Sequence, residues 1–160
     1  MQFLFQHRRF RMKKFLISLA ATCIVVTSAH ADNYRIRAQT AVKTENTAAG
    51  APDGYGDSLI TRTPGNLPTS AQYELTVTSP GTYELSIDYA AASPRPLLVT
   101  VNGEQITGNA ASSATGGWTE GYRKISKEGT VDLKAGKNKI MLSRNSDFPH
   151  VWFIILDGPQ

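Results

Sequence analysis

The stretch GTYELSIDYAA, Gly81–Ala91, decides how the chain reads. Tyr83, Leu85, Ile87 and Tyr89 alternate with Glu84, Ser86 and Asp88. A period of two puts the apolar set on one face of a strand and the polar set on the other, so a half-buried strand with a polar outer face is expected. Just upstream, Tyr73, Leu75 and Val77 alternate with Glu74, Thr76 and Thr78, and Ser79-Pro80-Gly81 supplies the turn between the two runs. Downstream, PLLVTVNGEQI at 96–106 carries Asn102-Gly103, the strongest short hairpin signal in the sequence.

Further strands are expected at Tyr34–Gln39, near Ser58–Thr61, and at Tyr122–Ser126, Thr130–Leu133, 139–143 (KIMLS) and 151–156 (VWFIIL). Lys134 to Asn138 reads as another turn, and Gly, Pro, Asn and Ser punctuate the rest. No helical periodicity persists after residue 32, and no internal repeat is visible. The pattern predicts an all-β protein, a β-sandwich or jelly roll, in one domain over residues 32–160.

Residues 1–31 read differently. Arg8, Arg9, Arg11, Lys13 and Lys14 form a positive segment, an apolar run extends from Phe15 to Val26, and Ala29 and Ala31 fit small-residue cleavage before Asp32. The run is too short for a membrane span, which takes about 20 residues. The segment is expected to be a signal peptide, with Met12 as an alternative start, and the address to be periplasmic or extracellular. Cys23, the single cysteine, lies within the run, and Ala-Ala-Thr before it does not make a lipoprotein box. The mature chain therefore has no thiol or disulfide, and its apolar core must hold it together.

The leader also carries the excess charge. The whole chain has 17 basic and 13 acidic residues; five of the basic ones and none of the acidic ones precede Asp32, leaving 12 against 13. Net charge thus gives no reason to expect nucleic acid as a partner.

No catalytic pattern appears. His150 is the only histidine after residue 31, and there is no G-x-S-x-G elbow, Walker motif or H-E-x-x-H. A lone histidine at a strand start reads as a solvated or hydrogen-bonding residue, and one cannot build a His-based zinc site. Glu74, Glu84 and Asp88 read as solvent-facing groups on strands. Asp53, Asp57 and Asp147 lack the regular spacing of a hand-type calcium loop. The expectation is a protein that is not an enzyme.

The aromatic residues of two loops carry the remaining signal. Thr44–Asp57 holds Tyr55, and Gly108–Gly121 holds Trp118 within ATGGWTEGY, whose last residue is Tyr122. Long loops on a compact scaffold more often bind than merely connect. An indole or phenol face suits the apolar face of a sugar ring, with Asn109, Glu120, Arg144 and Asn145 available to bond its hydroxyls. Trp118 could equally pack beneath its own loop, and spacing does not separate these readings.

The order of GTYELSIDYAA, PLLVTVNGE, GGWTEGY, TVDLKAGKNKIML and SRNSDFPH before a last apolar strand resembles the family 6, 35 and 36 group of carbohydrate-binding modules, over roughly residues 33–157. The resemblance implies a non-catalytic jelly roll with a ligand site in the loops at one end. It implies an aromatic from an early loop, Tyr55, a second from the GGW loop, Trp118, and an asparagine before the last strand, Asn145. Two departures stand out. Gln39 replaces an acid of the family's structural calcium element, and His150 and Trp152 occupy positions where Asn and Asp are usual, so a structural calcium is left open but unsupported and no other cofactor is implied. The sequence also shows no linker or attached enzyme, which implies a domain acting alone. The expected partner is a neutral glycan, bound through Trp118 and Tyr55 with Asn145, Glu120, Arg144 and Tyr122 nearby. The alternative is a structural or protein-interaction sandwich, and no membrane span is expected.

Overall fold

The computed structural model describes residues 32–159. The expected signal peptide lies outside the described residues. Strands are numbered in chain order, and every pairing between them is antiparallel. One sheet runs β3 (Thr47–Ala49), β4 (Leu59–Thr61), β11 (His150–Asp157), β6 (Gly81–Ala90) and β9 (Lys124–Leu133), with β1 (Asn33–Arg37) also paired to β11. The other runs β2 (Lys43–Glu45), β5 (Thr69–Val77), β10 (Gly136–Arg144), β7 (Leu97–Val101) and β8 (Glu104–Ala110). Among the described residues, helix is limited to three single 3-10 turns, and no helix is long and apolar enough to cross a membrane.

The inward residues of the two sheets meet in one core. Tyr83, Leu85, Ile87 and Tyr89 of β6 join Ile154 and Leu156 of β11, and opposite them lie Tyr73 of β5, Val99 of β7 and Ile140 and Leu142 of β10. Removing this apolar surface from water supplies the main favourable term of folding. The core tyrosines do not bury unpaired hydroxyls. Tyr73 donates to the Ala38 carbonyl at 3.0 Å, and Tyr89 donates to Ser113 at 2.9 Å. A buried phenol needs such a partner, and each bond also ties a loop to the core.

The end of the sandwich holding the β7–β8 turn is tightly specified. Asn102 and Gly103 both have positive φ, 52° and 91°, the geometry of a hairpin turn that matches strand twist. Buried Asn138 donates to the carbonyls of Lys134 and Gly136, while its oxygen accepts from Lys134 N–H and Asn102 Nδ2. One side chain thus joins the β7–β8 and β9–β10 turns.

Several sequence expectations change. Tyr122–Ser126 and Thr130–Leu133 are not separate strands: β9 runs unbroken from Lys124 to Leu133, with an irregularity opposite Leu85 and Ser86. Glu128 is the extra residue there, and Gly129 takes φ 119°. Such a bulge keeps pairing on both sides of an interruption. Thr44–Asp57 contains β3 and most of β2, whose strand character comes from pairing with β4 and β5 rather than from composition. Asp88 is not a solvent-facing group either. It is 3% exposed, ion-paired with Arg123 and Arg35, because β1 and the segment before β9 bring these arginines over the outer face of β6.

Candidate ligand-binding site

The end of β6, the start of β11 and the loops flanking β4 and following β8 converge at one end of the sandwich, since Ala90 pairs with His150 and Leu59 with Val151. They form a cleft of about 510 Å3 whose lining includes Asp53, Tyr55, Arg62, Arg95, Trp118, Asp147 and His150.

The loop carrying Trp118 is held at both ends. At its start, Thr115 N–H donates to the Ala91 carbonyl at 2.7 Å, and Ala91 N–H donates back to the Thr115 hydroxyl at 2.9 Å. At its far end, Arg123 pairs with Glu120 at 2.8 Å and with buried Asp88. Between them the two glycines have a steric task. A Cβ on Gly117 would sit 2.3 Å from the Tyr122 ring, and Gly116 has φ 107°. The GG pair therefore lets Tyr122 fold flat on the backbone, leaving Trp118 turned toward the cleft. Tyr55 is placed by a second closed loop. Its N–H donates to Gly50 at 2.9 Å, and the Ser58 hydroxyl donates to its carbonyl at 2.9 Å. A Cβ on Gly50 would meet Ser58 Oγ at 2.4 Å.

His150 lies between the two aromatic residues. Its ring meets Tyr55 edge-on at 4.3 Å between centroids and Trp118 at 5.1 Å, tilted by 41°. Its Nδ1 is 2.7 Å from the Trp118 carbonyl oxygen. Burial pushes the imidazole below its usual range; the Trp118 carbonyl opposes that shift, and nearby Arg95 adds to it. The guanidinium of Arg95 stacks over the Trp118 ring, 4.1 Å from its centroid, and donates from Nη1 to the Phe148 carbonyl at 2.7 Å. One indole face is thus already covered by a cation, a favourable arrangement for a ring quadrupole. Asp147 accepts from Gly65 N–H at 3.0 Å.

The residues expected at the site divide into two groups. Tyr55 and Trp118 share the cleft. Arg144 and Asn145 line a different groove, beside Met141 and Leu98, and Arg144 donates to the Pro96 carbonyl at 2.8 Å. Glu120 is committed to Arg123, and Tyr122 is 49% exposed outside the cleft lining. Arg95, Arg62 and His150 were not foreseen as site residues. Arg95 sits in an unpatterned Ser-Pro-Arg-Pro turn, and only the pairing of β11 with β6 brings His150 beneath both aromatics.

The residues at the positions implied for calcium do not fit that ion. Gln39 donates its amide to Ser58 at 3.2 Å, His150 meets a carbonyl, and Trp152 is a buried indole, so these three supply no anionic oxygens. Among the described residues no group of three or more His, Cys, Asp or Glu is placed to hold a metal.

No protein-family model and no curated protein matches the chain. Solved structures do share its fold. A family 35 carbohydrate-binding module from Clostridium thermocellum matches with a TM-score of 0.62 at 21% identity, over 78% of this chain and 97% of that one. The module CBM6cm-2 from Cellvibrio mixtus lichenase 5A, in complex with cellotriose, matches at 0.59 and 19% identity, over 79% and 98%. The Podospora anserina GH26-CBM35 β-(1,4)-mannanase matches at 0.59 and 20% identity; the match covers 80% of this chain but only 28% of the enzyme. The chain has the jelly-roll sandwich fold of the family 6 and 35 carbohydrate-binding modules, as the sequence resemblance implied.

Proposed function

We propose that this protein is a non-catalytic carbohydrate-binding module, exported and processed before Asp32, that holds a neutral glycan in the cleft between Tyr55 and Trp118. The observation that carries the reading is the mixture of groups facing one concave space: two aromatic side chains, the cations Arg62 and Arg95, the carboxylates Asp53 and Asp147, and one imidazole. A sugar offers apolar C–H faces and hydroxyls that both donate and accept, so it can use every member of such a set. Opposed charges within the lining disfavour a strongly anionic or cationic ligand. The lining contains no serine or cysteine, and Asp147 and His150 Nδ1 are already bonded to backbone groups. These features favour binding over turnover. Two of the solved structures that share the fold are carbohydrate-binding modules, one of them in complex with cellotriose, which supports the same class. Processing before Asp32 would leave β1, which begins at Asn33, intact.

Affinity electrophoresis tests the reading. The protein and its Trp118→Ala and Tyr55→Ala variants are run through gels containing xylan, β-glucan, mannan, pectin or agarose. Retardation by one polysaccharide, lost in both variants, is expected. If the folded protein migrates freely in all five, the sugar reading fails and a protein-interaction role replaces it. Amino-terminal sequencing of the exported protein should begin at Asp32.

A further inference from the structure

We propose that His150 is a ligand-contacting residue that presents the bare Nε2 lone pair of a neutral imidazole to a sugar hydroxyl, so that the cleft binds uncharged polyols and releases them in acid. This inference rests on the carbohydrate reading and specifies its chemistry. The Trp118 carbonyl can only accept, so at 2.7 Å His150 Nδ1 must carry the hydrogen. In the neutral ring, Nε2 is then necessarily an acceptor without a proton. No protein group bonds it among the described residues, and it is not sealed from solvent. With His150 lining the cleft, that nitrogen is reachable from the open space. Its surroundings make it specific. Arg62 and Arg95 supply donors in the same lining, and the His150 ring lies against both the Tyr55 and Trp118 rings, where a stacked pyranose would bring a hydroxyl.

Protonation reverses this atom's role. Nε2 would become a donor and would place a second positive charge beside Arg95. The other charged groups facing the ring across the cleft are Arg62, Asp53 and Asp147; Tyr55 contributes only its ring edge, and Trp118 its carbonyl and indole. Burial and Arg95 both favour the neutral form, so the acceptor is available at neutral pH and is lost only below the ordinary histidine range.

The test uses the full chain and three probes, cellohexaose, xylohexaose and mannohexaose, titrated calorimetrically at pH 7.5 and 5.0 with near-UV circular dichroism to establish that the fold persists at both. Wild type should lose at least threefold in affinity at pH 5.0. His150→Phe keeps a ring between Tyr55 and Trp118 but has no acceptor, and should lose roughly tenfold or more at pH 7.5. His150→Gln can place a non-titrating carbonyl oxygen near the Nε2 position, and should retain binding with a flat pH profile. Equal affinity of wild type at both pH values, or undiminished binding by His150→Phe, overturns the proposal while leaving sugar binding intact. Failure of folded wild type to bind any of the three at pH 7.5 removes the carbohydrate reading and this inference with it.

Discussion

Two clusters in this molecule are built from the same parts, arginine against aromatic rings, and behave differently. On the outer face of β6 and β11, Arg35 lies 4.1 Å from the Phe153 ring centroid and Arg123 lies 5.2 Å from that of Trp152. Both cations pair with Asp88, and Trp152 is 2% exposed. At the loop end, Arg95 covers Trp118 and donates to one carbonyl; among the described residues no carboxylate forms an ion pair with it, and the space beside it is open. The first cluster has satisfied its charges internally and holds sheet to loop. The second keeps bonding capacity facing a cleft. Identical residue types become framework or site according to whether a buried carboxylate consumes their donors.

The comparison can be broken most forcefully at Asp88. Replacing it with Ala leaves Arg123 with only the exposed Glu120 as its partner and should cost about 2–3 kcal/mol in denaturant unfolding, after discounting for the exposure of Arg35. Arg95→Ala should cost under about 1 kcal/mol, because no buried charge is left unpaired. Equal losses would erase the distinction between the two clusters.

Gly117→Ala comes next. Its Cβ must displace the Tyr122 ring, and overpacking of this kind costs about 1–3 kcal/mol. Tyr122→Ala removes the obstacle, so the double variant should recover most of the loss. Additive destabilisation in the double-mutant cycle would show that the clash with Tyr122 is not the cause.

The smallest effect is in acid. The His150 pKa is lowered in the folded protein, by burial first, so the unfolded chain takes up the proton at higher pH. Stability should therefore be fully present above about pH 6.5 and decline as pH falls toward the folded value, with a slope of at most about 1.4 kcal/mol per pH unit. His150→Phe should remove this component; an unchanged slope between pH 7 and 5 would assign it to other groups.

The alternation in Tyr83–Tyr89 and in Tyr73–Val77, and the Asn102-Gly103 turn, are local signals. A strand's face and a turn's handedness follow from neighbouring residues, so the sandwich was legible without coordinates. Tyr55 and Trp118 were legible as loop aromatics, but the sequence left open whether Trp118 faced inward or outward. Trp118 does both: Gly116 and Gly117 receive Tyr122, while the half-buried indole packs against the core and also lines the cleft. Asn145 and Arg144 were expected beside them and lie in another groove, because a residue's place along a loop does not fix the side to which it points.

By itself, then, the sequence determined what short-range chemistry dictates: the long alternating strands, the main turns, the all-β class and the lack of a familiar catalytic motif. Tertiary structure alone decided the meeting of His150, Arg95, Tyr55 and Trp118, which lie on four separated segments. It also decided that Asp88, an apparent surface acid, is a buried partner of two arginines. Both outcomes depend on long-range strand pairing, which brings distant segments together and for which no local pattern in the chain is a signature.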